Sequence, residues 1–281
     1  MTFMKDDPHH QSFYIGWQPK MPDLYKKKVR HFLYAVLSLI LLVSVLLVLF
    51  QKPFAKGVFE LGTLTTLEGT LSMTPVPMLK IQDDASDQLK SILLIGFGKM
   101  GAENAFKKYI SSDLQLADLN GSKARLEGTL IYDEEKTLLE LTNGEDAILD
   151  LGGRTNYKIK EEPLGFQTLR GEIYDPKCAF GVMKPGYGKI HRSCAVRCIS
   201  GGIPPVLKIE NDNGQKNYVL LVDTMGSPIN KAILPYVADQ IQICGQLERQ
   251  DDWLVLYTNP TEQLARLHPY WAKGDLAMCA E

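Results

Sequence analysis

The hydrophobic pattern changes character once along the chain. Residues 32–50 read FLYAVLSLILLVSVLLVLF, nineteen positions without a charge, Pro or Gly. At about 1.5 Å rise per residue the run spans roughly 28 Å, the thickness of a bilayer core, and it predicts a transmembrane helix. After residue 57 the pattern becomes period-two alternation in short stretches broken by Gly, Pro and charged pairs, the mark of strands and tight turns.

The strand-rich region repeats itself. TLEGTL at 66–71 matches TLRGEI at 168–173, SILLI at 91–95 matches YVLLV at 218–222, and LEGTLIYDEEKTLLELTN at 126–143 matches ICGQLERQDDWLVLYTN at 243–259. Each copy runs strand, strand, apolar strand, short helix (102–110 and 229–237), then a hairpin. Five strands with a helix between the third and fourth is the layout of an OB-like barrel. Gly69, Gly171, Gly128 and Gly245 fall mid-strand, where sharply bent barrel strands need a position without a side chain.

The expected organisation is therefore an N-terminal arm at 1–31, a transmembrane helix at 32–50, OB-like domain 1 at 58–145, OB-like domain 2 at 164–260 and a C-terminal tail at 261–281. Residues 143–163 read as the linker between two tandem five-stranded barrels. Asp133, Glu134, Asp251 and Asp252 read as solvated hairpin tips.

Charge gives the expected orientation. Residues 1–31 carry six Lys or Arg against three Asp or Glu, a net +3 set against −5 for the remainder. The positive-inside rule places the arm in the cytoplasm and the barrels on the extracytoplasmic side. QKPFAKG after the run is a poor cleavage site, so the segment reads as an uncleaved signal anchor. An acidic ectodomain lacks the basic, aromatic-lined groove that nucleic acid requires.

One motif is a decoy on this reading. Gly96, Gly98 and Gly101 have GxGxxG spacing after a strand, but a hairpin follows rather than a second βαβ unit, so a dinucleotide site is not expected. GFGKMG occupies the place of DTMGS at 223–227, a loop leading into the barrel helix.

The two copies differ mainly by an insertion in the second, at 175–204, which holds Cys178, His191, Cys194 and Cys198. KIHRSCAVRCI has no breaker before SGGIPP and predicts a short helix with His191, Cys194 and Cys198 on one face; the turn-rich KPGYGK would return Cys178 to it. Three sulfurs and an imidazole make a Cys3His set suited to Zn²⁺ or to an iron–sulfur centre. A disulfide from Cys178 to Cys194 or Cys198 is the competing expectation outside the cytoplasm. Lys184, Lys189, Arg192 and Arg197 would add positive charge and favour thiolates. Cys244 is placed on the exposed strand face, and Cys279 in the tail.

The run DPKCAFGVMKPGYGKIHRSCAVRCISGGIPPV resembles a motif of bacterial membrane-anchored or exported proteins of uncharacterised function, in which a Cys and a Gly-rich loop precede HxxCAxxC and a GGxPP turn. The resemblance covers about 35 residues. It implies a bacterial envelope protein and supplies no reaction.

No Ser/His/Asp order, paired carboxylates or phosphate loop marks an enzyme. The expected function is a single-pass membrane protein, an accessory or electron-transfer subunit bound to the bilayer and to another envelope protein, with its metal or redox centre at Cys178, His191, Cys194 and Cys198. The alternatives are a thiol–disulfide exchange or metallochaperone protein, and a structural adaptor whose cysteines form a staple.

Overall fold

The apolar run is helical and extends further toward the N-terminus than its uncharged part: α1 covers Asp23–Phe50. The added turns come from LYKKKVRH, which contains no helix breaker and carries the basic cluster. Tyr25–Phe50 is long and apolar enough to cross a membrane, and its apolar stretch is not buried against protein. The computed structural model describes residues 21, 23–51, 56–82, 89–110, 115–133, 136–210 and 216–267. Most of the N-terminal arm, Glu134 and Cys279 lie outside the described residues.

Residues 54–281 form a second unit, distinct from the helix. Its first barrel contains β2 (Thr65–Ser72), β3 (Met78–Gln82), β4 (Leu89–Gly96), β5 (Ser122–Tyr132) and β6 (Thr137–Leu141), preceded by the two-residue β1 (Val58–Phe59), which pairs with β5. The strands close in the cycle β2-β3-β4-β6-β5, with β4 and β6 parallel and the other neighbours antiparallel. The second barrel repeats this circuit with β8 (Glu161–Tyr174), β9 (Val206–Glu210), β10 (Lys216–Val222), β12 (Trp253–Tyr257) and β11 (Gln240–Gln250), β10 and β12 again being parallel. A short helix, Ala102–Tyr109, leads toward β5 and α3 (Asn230–Ile233) leads toward β11. The expected pair of OB-like barrels is present.

The four repeat-related glycines have one cause. A Cβ on Gly69, Gly128, Gly171 or Gly245 would lie 2.3, 2.2, 2.0 or 2.1 Å from the carbonyl oxygen of Lys80, Glu140, Lys208 or Tyr257 respectively, each on the adjacent strand. No side chain fits where the coiled strands pass so closely.

Three apolar layers hold the body. One fills the first barrel around Phe106, Leu79, Leu94 and Leu126. Another fills the second around Ile173, Leu207, Val219 and Ile241. The third lies between them: Met78, Leu93, Ile95 and Leu138 of the first barrel meet Tyr174, Phe180, Cys198, Leu220 and Trp253 of the second. Apolar side chains on both faces of β4 and β10 are therefore covered, which is why ILLI and VLLV read as continuous runs rather than alternations.

Several expectations are corrected here. The stretch expected as a linker holds β7 (Ile148–Arg154), which pairs with β5, and the start of β8. Part of the expected tail is β13 (Leu264–Arg266), which pairs with β11. That return fills the stretch of the β11 edge that β12 leaves, Cys244 N–H donating to the Gln263 carbonyl at 2.9 Å, and Cys244 is buried and disulfide-bonded rather than exposed.

The hairpin-tip acids also make contacts across the barrels. Asp251 accepts from Lys80 Nζ of β3 at 2.8 Å and from Tyr157, and both partners of the Lys80–Asp251 pair are buried. Asp133 accepts from the Tyr218 hydroxyl at 3.0 Å.

Candidate metal centre

The insertion leaves the end of β8 through Asp-Pro-Lys-Cys. Asp175 is fully buried; its Oδ1 accepts the Cys178 N–H at 3.1 Å, starting a single wide turn at Cys178–Val182. Pro176 suits the opening of that turn because the amide it lacks would have had no partner there. The chain then loops through KPGYGK into one tight turn at Lys189–His191 and α2 (Arg192–Ser200), whose N-cap is His191. Gly201 and Gly202 end the helix, and the following prolines carry the chain into β9.

This path brings the cysteines together. The sulfurs of Cys178, Cys194 and Cys198 all lie within 4.8 Å of one another, Cys194 and Cys198 on successive turns of α2 and Cys178 from the opposing arm. His191 is in the same cluster but belongs to a second triplet, with Asp175 and Cys178, so that Cys178 is common to both. His191 Nε2 lies 3.2 Å from Asp175 Oδ2, and both side chains are buried. A carboxylate on one imidazole nitrogen fixes the ring and leaves the lone pair on the other, the usual support of a ligating histidine.

The thiols differ from one another. Cys178 and Cys198 are buried, and Cys194 is half-buried. The hydrogen bond from Cys178 to Cys198, together with burial and the Asp175 charge, pushes the Cys178 thiol up. The same bond holds the Cys198 thiol below its ordinary value, helped by Lys99 and Cys194 against burial and Asp175. Cys198 is thus the favoured thiolate of the pair.

The cation that reaches the sulfurs comes from the first barrel. Lys99, in GFGKMG, directs its Nζ at Cys194 Sγ from 2.9 Å. Of the basic residues expected to do this, Lys189 and Arg192 are engaged elsewhere: both pair with Asp239, which also holds Arg266 at 2.8 Å. Beside the cluster, buried Lys177 pairs with Glu140 of β6 and donates to the Gly98 carbonyl at 2.5 Å, while Glu140 Oε1 accepts the Gly98 N–H at 3.1 Å. A cavity of about 670 Å³ opens here, lined by the three cysteines, Lys99, Lys177 and Glu140 and by apolar Phe59, Leu61, Phe97 and Met183.

Sequence reasoning found the four Cys and His residues and missed Asp175, Lys99, Lys177 and Glu140. Asp175 had a local signal, an Asp before Pro three residues ahead of a Cys. Lys99 and Glu140 had none, because their relevance depends on how one barrel packs on the other.

The arrangement can hold one soft cation. At a Zn–S distance of about 2.3 Å, tetrahedral geometry separates ligand sulfurs by about 3.8 Å, within the observed spread. No protein-family model matches the chain, and no curated protein sequence matches it.

Proposed function

We propose that the protein is a membrane-anchored, two-barrel protein whose Cys178, Cys194 and Cys198 form a metal–thiolate centre, serving as an accessory subunit of an envelope membrane complex. The convergence of three sulfurs from two segments carries this reading. A single ion fits better than a 4Fe–4S cluster, which places each cysteine sulfur on a different iron and holds the sulfurs farther apart. The basic residues in the first turns of α1, ahead of its uncharged run, orient the barrels to the outside. A disulfide at Cys244 suits an oxidising compartment. In such a compartment three thiols this close would oxidise unless an ion held them as thiolates, which strengthens the case for metal.

The test is metal analysis of the full-length protein purified in detergent without chelators, together with titration of its thiols. About one soft metal ion per chain is expected. Metal below about a tenth of an ion per chain, with two of the three cluster thiols unreactive until reduced, would leave the centre a disulfide staple.

Thiol–disulfide exchange is the second reading, favoured by the lowered Cys198 thiol and by the half-buried Cys194 lining the cavity. It requires rapid alkylation of a cluster thiol in the reduced, metal-free, folded protein.

A further inference from the structure

The GFGKMG loop, which leaves β4 at Gly96 and is unsuited to a dinucleotide, is fastened by three sets of contacts, two of them at Gly201, the C-cap of α2. Gly101 N–H donates to the Gly201 carbonyl at 3.0 Å. A Cβ on Gly201 would lie 1.8 Å from the Lys99 carbonyl oxygen, so only glycine lets the two backbones meet. The Lys177–Glu140 pair grips both polar atoms of Gly98. The residue between these fastenings is Lys99, whose ammonium touches Cys194 Sγ. Its position is set by backbone contacts on both sides and not by the reach of a free surface lysine.

The geometry points to Lys99 as the residue that sets the charge preference of the thiolate centre, favouring a monovalent soft ion, Cu⁺, relative to a divalent one such as Zn²⁺. This rests on the metal–thiolate reading. Three thiolates with Zn²⁺ carry a net −1, and with Cu⁺ a net −2, so an adjacent fixed cation stabilises the copper form more. Equivalently, it repels the dication twice as strongly. One unit charge about 4 Å away changes an equilibrium about fivefold even at water-like screening, and more where solvent is partly excluded. A triplet of thiolate sulfurs also matches the low coordination and soft donors that Cu⁺ accepts. Met183, a thioether on the cavity wall, adds a second soft donor type nearby.

The experiment measures Cu⁺ and Zn²⁺ affinities by chelator competition, without oxygen, on the full-length protein and on its Lys99→Met and Lys99→Arg variants. The ratio of Cu⁺ to Zn²⁺ affinity is expected to fall about tenfold in Lys99→Met and to stay near wild type in Lys99→Arg. A ratio unchanged in Lys99→Met, or both affinities falling alike, overturns the role of Lys99 and leaves the centre standing. Failure of the wild-type protein to bind either ion overturns the metal–thiolate reading itself.

Discussion

Cys198→Ser in the full-length protein is expected to lower bound metal from about one ion per chain to under about a tenth, and to unfold the second barrel more readily, because structural metal affinity is folding free energy. Cys198 carries both effects. Its sulfur belongs to the triplet with Cys178 and Cys194, and its side chain is packed in the layer between the barrels. Ser would lose the soft ligand and bury a hydroxyl where the sulfur had apolar neighbours, a cost of about 1–3 kcal/mol before any metal is counted. Cys194→Ser provides the contrast. Cys194 is half-buried, so its replacement should empty the centre with a smaller loss of stability. Metal analysis combined with thermal unfolding, with and without chelator, reads both effects. Wild-type metal content in Cys198→Ser would place the ion elsewhere.

Asp251→Ala is expected to cost about 3–5 kcal/mol of stability at neutral pH, since removing one member of a buried pair strands the other charge. The stranded charge is Lys80, almost fully buried and left, among the described residues, with Ser91 Oγ at 2.7 Å. The double variant Lys80→Met with Asp251→Leu should recover most of the loss, because apolar residues of similar size replace a buried pair at little net cost.

The same carboxylate gives an acid dependence. Burial pushes its pKa up, but hydrogen bonds from Lys80, Tyr157 and the Lys160 N–H, with the Lys80 charge, outweigh burial and hold it below the ordinary range. A carboxyl with a lowered folded pKa contributes its full stability above the unfolded value of about 3.9 and loses it as pH falls through the folded value. Urea unfolding at pH 7 and pH 3 should therefore show wild type losing more stability on acidification than Asp251→Ala. Equal losses would remove Asp251 from the account.

The sequence was most informative where physics is local. Nineteen uncharged apolar residues declared a membrane-length helix without reference to anything else. The duplicated glycines declared the barrels, because each marks a close strand crossing that recurs at the same place in both copies. His191, Cys194 and Cys198 share a helical stretch and could be grouped by spacing alone. What escaped notice involved the meeting of the two barrels. Asp251 looked like a solvated tip because a hairpin turn with two acids usually is one; the lysine that buries it stands 171 positions earlier. Lys99 sat inside a glycine pattern whose familiar meaning pointed to a phosphate rather than a sulfur. Cys244 reads as exposed in sequence because the segment that pairs beside it, ending in β13, has too weak an alternation to read as a strand.

The apolar layer shared by the two barrels bears on the history of the chain. A duplicated module ordinarily keeps the ability to stand alone, so its copies can be lost, exchanged or multiplied. Here Met78, Leu93 and Leu138 on one side and Tyr174, Leu220 and Trp253 on the other are buried in one shared layer. With those facing surfaces apolar, neither copy could be removed without leaving the other sticky. The inserted cysteine segment, with Phe180 and Cys198 in that seam, leans on both copies at once.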